Sequence, residues 1–486
     1  MHDNDEIEDL FPKRICFSCV GEPYLSSEIE HSNEIGLCGY CATIGKSYSI
    51  DDFAERIETA FKDHFCRTSD QPDTMQWMLQ SDKESSYQWY RSGEPVIEAI
   101  QSAADIPLVA AADLQAILEN KYCDFELQQM SEETEFSSTT HYDEMGPSDQ
   151  LWQEEWRKFD RSLKTEARFF SRIAVDHLAS VFGGIDQLNT TDSRPLVVRA
   201  GPGFEINYLY RARVFQSEDL LREALSRPDI HLGSPPAKLA SAGRMNALGI
   251  SVFYGATEAN VALAEARPPV GSKVTVAKFD IIRPLHLLDL TAIVNVKDGG
   301  SIFDHSLKGR LERVSFLRSL GILMTKPVMP NDEAFDYLAT QAVADFLATE
   351  NKPQLDGIIF HSVQANSGHN VVLFHKAAQV ELLEFPDGTE IDVRFGDETD
   401  DGFETEFSVF ESVPIFTPRP PEADDNDILL SDLRSEPSCY REGDLRESVL
   451  RVDAKSIVVN QVDWVEYNTT SYPVTRNRYV KREWKF

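Results

Sequence analysis

The sequence predicts an α+β protein of several domains, with a mixed α/β domain in its middle. Three observations carry this. Two C-x2-C pairs open the chain, Cys16-Phe17-Ser18-Cys19 and Cys38-Gly39-Tyr40-Cys41. Helix-periodic stretches dominate the next part, and from Tyr208 onward short apolar runs of strand length alternate with helical ones. At 486 residues the chain is also long for one domain. The shifts in pattern divide it into a zinc-ribbon-like knuckle at 1–50, a helical domain at 51–195, the mixed domain at 196–378, and an acidic, β-rich extension at 379–486.

The cysteine pairs leave eighteen residues between them, the spacing of a four-thiolate structural zinc site. Each pair can grip a tetrahedral ion from a tight knuckle, and the gap returns the chain. Gly39 is expected to help the second knuckle turn. A closed set of four thiolates leaves no open position for catalysis, so the metal would be a folding staple. The alternatives are chance pairing and a redox role, and no βαβ pattern surrounds either pair to favour the latter. Cys66, Cys123 and Cys439 stand alone and are expected to be plain thiols.

The elements follow in order. Segment 49–65 places Phe53, Ile57, Ala60, Phe61 and Phe65 on one helix face, and 95–104 and 110–120 are further helices. Segment 131–150 is polar and is expected to be an exposed loop. Segment 151–182 forms one long helix or two, with Trp152, Trp156, Phe159, Leu163, Phe169, Phe170 and Leu178 toward one side, before the stop Gly183-Gly184. Strands are expected at Tyr208–Phe215, 252–254, 274–282, 358–361 and 370–374, the last two joined by a turn at 366–368. Thr257 is expected to cap a helix over 258–266, and 331–349 carries a helical face of Phe335, Leu338, Ala342, Phe346 and Leu347. Short strands follow at 391–395 and 403–410, then a stiff Pro-rich linker at 417–427. A terminal hairpin of 456–467 with 472–484 closes the chain.

Composition bounds the function. A hydrophobic fraction of 42% with 28 Phe gives ample core. A net charge of −34 repels polyanions, which argues against direct nucleic-acid binding through a basic surface. An anionic substrate would need a locally positive pocket, so individual arginines matter. The acidic start lacks the apolar core of a signal peptide. No run approaches eighteen apolar residues, so no membrane span is expected. Seven cysteines, an odd number, do not suggest a disulfide framework. The expected location is cytoplasmic and reducing.

One constellation stands out. Gly243-Arg244-Met245-Asn246 precedes Phe253-Tyr254-Gly255 by a short stretch, and Ala262-Leu263-Ala264-Glu265 follows. Arg244, Tyr254 and Glu265 are ten and eleven residues apart, separated by a turn, a strand and a helix start, a layout that can converge them on one cleft. A cation for phosphate, a ring for stacking and a carboxylate suit chemistry on a nucleotide. Plainer fates exist for each: a surface arginine, a core tyrosine, or a carboxylate paired with Arg267 or Arg211. Glu265 sits among Val261, Ala262, Leu263, Ala264 and Ala266, where a carboxylate is costly without work or a partner. Arg211 and Arg213 lie two apart on one strand and should share a face, toward a cleft or toward solvent. Ser362 ends a strand, and alternation turns His361 the other way, which argues against a Ser–His nucleophile pair. No G-x-S-x-G occurs.

From Tyr208 to Phe374 the chain resembles the RES family, the toxin half of bacterial toxin–antitoxin pairs. The resemblance is carried by Leu209-Tyr210-Arg211-Ala212-Arg213, the Arg244, Tyr254 and Glu265 segments, and the stretch Phe279 to Leu290. It ends on Asp356-Gly357-Ile358-Ile359-Phe360-His361-Ser362 and Gly368-His369-Asn370-Val371-Val372-Leu373-Phe374. The cysteine pattern ahead of it is similar to the N-terminal domain found before some RES and HEPN toxin domains. The resemblance implies an ADP-ribosyltransferase-like fold and breakdown of NAD. It implies Arg244, Tyr254, Glu265 and Ser362 as catalytic residues, with Arg211, Arg244, Tyr254 and Asn246 binding NAD. The insert between Arg211 and Arg244 is longer than compact members need.

The function expected is an NAD-consuming, toxin-like enzyme that cleaves the nicotinamide N-glycosidic bond and hands ADP-ribose to inorganic phosphate, an NAD phosphorylase. Water or a protein side chain are the competing acceptors, giving a glycohydrolase or an ADP-ribosyltransferase. Zinc is expected as a structural metal, NAD as substrate, and a helix-turn-helix antitoxin as partner. A homo-oligomer is compatible with the sequence. Two other classes stand beside this reading. Arg172 and His177 fit the loose R-x4-H pattern of HEPN ribonucleases. The knuckle and acidic extension would also suit a non-catalytic interaction protein.

Overall fold

The computed structural model describes residues 13–82, 84–123, 133–365, 367–399, 402–414, 446–466 and 468–479. The acidic start, the expected linker at 417–427, Cys439, Asn366 of the expected turn and the end of the expected hairpin lie outside the described residues, as do residues 131–132 of the expected loop. The chain divides into two units, Met1–Leu196 with Ala292–Met324, and Val197–Thr291 with Thr325–Phe486. Segment 292–324, expected within the mixed domain, thus belongs to the first unit.

In the first unit Arg14–Cys16 and Ile35–Leu37 flank Ile44–Ser49 in an antiparallel sheet. The helix Ile50–His64 follows, and Ser49 caps it by accepting from the Asp52 N–H at 3.1 Å. Ile50, Phe53, Ile57, Ala60 and Phe61 bury its inner face. Phe65, expected on that face, instead begins the strand Phe65–Arg67 and stacks on Phe61 at 4.4 Å. Helices Val96–Ala104 and Leu108–Lys121 complete the layer. Residues 133–144 of segment 131–150 are not an exposed loop. Its residues His141–Glu144 form the middle strand between Phe65–Arg67 and Glu94–Pro95, and Phe136 and Tyr142 are buried against Phe61. Two aromatics were enough to draw a polar stretch inward. Segment 151–182 is two helices, Gln150–Thr165 and Arg172–Phe182. The break between them loses the helical phase, so Phe169 and Phe170 are exposed while Trp156, Phe159, Leu163 and Leu178 are buried.

The second unit is built on eight strands: β1 (Val197–Ala200), β2 (Tyr208–Phe215), β3 (Phe253–Ala256), β4 (Lys273–Ile281), β5 (Leu285–Asp289), β6 (Gly357–His361), β7 (His369–Leu373) and β8 (Leu450–Gln461). Across the sheet the order is β8-β4-β2-β3-β7-β6-β5-β1. Among the described residues β5 and β6 are its one parallel pair, joined by a long connection that holds the helix Leu338–Thr349. Leu209, Phe253, Phe279, Leu287, Ile359, Val371 and Leu373 form the core on one face. The fold is thus α+β around a large mixed sheet, as the sequence predicts.

Three local expectations fail here. Thr257 does not cap the helix Ala259–Glu265; Glu258 holds that position without a side-chain bond, and the Thr257 hydroxyl lies 3.4 Å from the His369 carbonyl. The cross-strand carbonyl outcompetes the helix end for it. The helix Leu338–Thr349 buries Ala339, Thr340, Val343, Ala344, Phe346 and Leu347, while Phe335 lies in the separate turn Glu333–Asp336 and is exposed. The terminal hairpin is replaced by β8, which pairs antiparallel with β4 from Lys273↔Gln461 to Ile281↔Leu450. The open edge of β4 offers a ladder of unpaired backbone groups, and β8 fills it while burying Val452. Two small antiparallel ribbons precede it, Glu390–Arg394 with Ser408–Ser412 and Asp397–Thr399 with Gly402–Glu404. Among the described residues no helix is long and apolar enough to cross a membrane.

Candidate functional site

The first unit gathers Cys16, Cys19, Cys38 and Cys41, whose sulfurs all lie within 4.8 Å of one another. The Cys16–Cys41 and Cys19–Cys38 sulfurs are 3.5 and 3.8 Å apart. A tetrahedral zinc about 2.3 Å from each sulfur requires S···S separations of roughly 3.8 Å, so the four residues can hold zinc. The left-handed residue of the second knuckle is Ala42, at φ 57, not Gly39. Gly39 instead donates its N–H to the Arg14 carbonyl at 2.9 Å, tying the two knuckles together. The Tyr40 N–H points at the Cys38 sulfur at 3.5 Å, the bond that orients a thiolate ligand. Hydrogen bonds from Thr43 lower the Cys41 thiol to about 6, whereas burial raises Cys16 and Cys19. A central cation is what would let all four act as thiolates together.

The second unit carries a pocket of about 360 Å³ lined by Arg211, Arg244, Tyr254, Glu265 and Asn370, among others. Arg211 enters from β2 with its guanidinium 4.8 Å from the centre of the Phe253 ring. Its Nη1 is sealed from solvent and has no hydrogen-bond partner among the described residues, although the side chain as a whole remains partly accessible. Burial, with Arg213 beside it, pushes this group down to about 9. A cation in that state favours an anion in the pocket.

Arg244 lies on the turn Gly243–Asn246. Thr340 Oγ1 donates to the Arg244 carbonyl at 2.6 Å and Gln341 Nε2 to the Gly243 carbonyl at 2.8 Å. A Cβ on Gly243 would meet Asn246 Oδ1 at 2.7 Å and the Tyr254 hydroxyl at 2.8 Å, so the close approach demands glycine. The Arg244 guanidinium stacks 4.9 Å from the centre of the Tyr337 ring.

Tyr254 lies on β3 and lines the pocket, but its hydroxyl faces the turn. It donates to Asn246 Oδ1 at 2.9 Å and accepts from the Met245 N–H at 3.0 Å, and burial raises it to about 12. The hydroxyl is therefore an anchor, protonated at neutral pH. Asn246 is 3% exposed and does not line the pocket. Its amide donates to the Ser241 and Ile250 carbonyls at 2.9 and 3.0 Å, which uses up both protons on the fixed turn. Its amide is thus committed to holding the turn that carries Arg244.

Glu265, at the end of the helix Ala259–Glu265, is reached by two neutral donors. Ser362 Oγ donates to its Oε1 at 2.6 Å and Asn370 Nδ2 to the same oxygen at 2.7 Å. Ser362 accepts in turn from the Gln364 and Ala365 N–H groups at 3.1 and 3.2 Å, which fixes its rotamer. Ser362 thus orients the carboxylate and is not aimed at His361, whose ring lines the pocket 5.1 Å from that of His369. The sequence reading gave no site role to Asn370 or Tyr337 and named Arg267 only as a possible partner of Glu265; all three line the pocket. Asn370 had a signal, a polar residue inside the apolar strand β7; Tyr337 had none.

Arg172 and His177 do not come together. Arg172 is exposed, whereas His177 is buried among Trp156, Phe159 and Phe316, with ring centres 6.0, 5.4 and 6.4 Å away.

The family model for the RES domain matches residues 209–395. No curated protein and no solved structure matches the chain. The match begins at Leu209 on β2 and takes in every wall of the pocket, so this chain carries a RES domain and the pocket belongs to it.

Proposed function

We propose that the RES-domain pocket binds NAD and cleaves its nicotinamide N-glycosidic bond, passing ADP-ribose to inorganic phosphate. One observation carries this: a carboxylate fixed by two neutral donors shares a pocket with a guanidinium whose Nη1 is sealed from solvent and, among the described residues, lacks a partner. Arg211 and Arg244 supply positive charge for the diphosphate, and the Tyr254 and Tyr337 rings offer apolar surface. The C1′–N bond breaks with its electron pair moving to the pyridinium nitrogen, and neutral nicotinamide leaves. Glu265 stabilises the positive charge left on the ribose, its position held by Ser362 and Asn370. A phosphate oxygen then bonds to C1′, and no oxidant is needed.

Water or a protein side chain in place of phosphate would use the same residues, so the acceptor must be tested directly. The four thiols are proposed to hold one zinc ion as a staple, and an NAD-consuming chain calls for a neutralising protein partner, such as a helix-turn-helix antitoxin. The ribonuclease alternative has less support, since Arg172 and His177 diverge. The test is to incubate full-length protein with NAD, with and without phosphate, and separately with RNA. Nicotinamide release that rises with phosphate, giving phosphorylated ADP-ribose, is expected. NAD left intact under all conditions would sink the proposal.

A further inference from the structure

Arg267 lines the pocket two residues beyond Glu265 and has had no role so far. Its backbone is left-handed, at φ 45, in the position after a helix end where glycine is the usual occupant. The Arg267 N–H bonds the Ala264 carbonyl at 3.1 Å, so the helix end holds it there. A side chain kept at a backbone position that disfavours side chains points to a use for that side chain. The guanidinium is exposed, and among the described residues it makes no hydrogen bond or ion pair. It lines the same pocket as Arg244. Both cations act electrostatically on the Tyr337 phenol, and the Arg244 guanidinium lies over that ring. The carboxylate of this wall, Glu333, takes a hydrogen bond from the Tyr337 hydroxyl at 3.2 Å.

We infer that Arg267 joins Arg244 and Arg211 in gripping a diphosphate, so that the pocket selects nucleotides with two adjacent phosphoryl groups over those with one. One guanidinium forks onto one phosphate, so a diphosphate gains more than a monophosphate from a further open cation on the pocket wall beside Arg211 and Arg244. This deepens the NAD reading and rests on it for the identity of the substrate, but the grip can be measured without turnover. The two sources of phosphate in that reading, the diphosphate of the substrate and the inorganic acceptor, are separable by the same measurement.

The experiment is calorimetric titration of the full-length protein and of Arg267→Gly with ADP, AMP and inorganic phosphate, with thermal melts of both proteins. Wild type is expected to bind ADP at least tenfold more tightly than AMP. Arg267→Gly should bring ADP down to the AMP level, leave phosphate binding unchanged and melt no lower than wild type, because glycine suits the left-handed backbone. Arg267→Met gives the same comparison with the aliphatic stem retained. A preserved ADP preference in both variants, an equal loss for ADP and AMP, or a loss confined to inorganic phosphate would overturn the inference. If wild type grips ADP but releases no nicotinamide from NAD, the grip stands and the proposed reaction falls.

Discussion

In the Cys16–Cys41 cluster every ligand faces another ligand, with sulfurs 3.5 and 3.8 Å apart and all four within 4.8 Å. In the pocket the polar groups are held from behind and left open in front. Glu265 takes hydrogen bonds from Ser362 and Asn370, and Arg211 lies against the Phe253 ring with Nη1 unpartnered. The first arrangement can close around one ion and then has nothing left to react with. The second sets a charge of each sign on the wall of a pocket. The comparison teaches that burying polar groups serves stability where they satisfy one another and chemistry where they do not.

The sharpest way to break the comparison is at Glu265. Glu265→Gln keeps the shape and an acceptor oxygen but removes the charge. On the proposed reaction kcat should fall by roughly a hundredfold or more, the scale of a lost preorganised electrostatic contact. NAD affinity should change little, because ribose charge develops only in the transition state. Nicotinamide release and calorimetry on the two proteins decide it; undiminished release would remove Glu265 from the mechanism.

The opposite result is expected for the cysteines. Freshly purified protein should contain about one zinc per chain, bound in a site whose folding depends on it. Cys16→Ser should lower zinc content and the melting temperature of the first unit, yet leave nicotinamide release within about twofold, since the staple is structural. Metal analysis finding no zinc, or a loss of turnover as deep as that of Glu265→Gln, would erase the division between the two regions.

A smaller effect tests how Glu265 is held. Ser362→Ala and Asn370→Ala each remove one hydrogen bond to its carboxylate, and each should lower kcat by about tenfold, the worth of one charge-assisted bond. The double variant should lose less than the product of the two, because both act through the same oxygen. Multiplied losses would mean that one of them touches substrate itself.

The sequence made the anchors of both regions legible. Cysteine spacing located the cluster, and the Arg244, Tyr254 and Glu265 intervals located the pocket. What it hid was how each group is used. Nothing local could say that the Tyr254 hydroxyl and the Asn246 amide spend their hydrogen bonds on the turn, because those partners are fixed by the packing of β3 against it. Tyr337 reaches the pocket from a segment more than eighty residues beyond Tyr254, and only the tertiary fold brings it to Arg244. The strand His141–Glu144 was hidden by the polar composition around it, and β8 by the assumption that sequence neighbours pair.

His177 provides the finest test, because it is a polar group that the fold buries and does not use. Among the described residues its Nε2 has no hydrogen-bond partner, and Nδ1 is 3.7 Å from Glu155, a contact that opposes but does not outweigh burial. Burial therefore holds the imidazole below its ordinary value of about 6.5. The sign follows from linkage. Above that value both the folded and the unfolded chain are neutral here, and stability is intact. As pH falls below it the unfolded chain takes up a proton that the fold resists, so stability of the first unit declines until the lowered folded value is passed. His177→Phe, which keeps a ring among Trp156, Phe159 and Phe316, should remove this part of the acid loss and change little at pH 7.5. Melting temperatures at pH 7.5 and 5.0 measure it. An acid loss identical to wild type would show that His177 does not titrate in this way, and RNA cleavage abolished by the substitution would move the residue from the structural side of the comparison to the catalytic one.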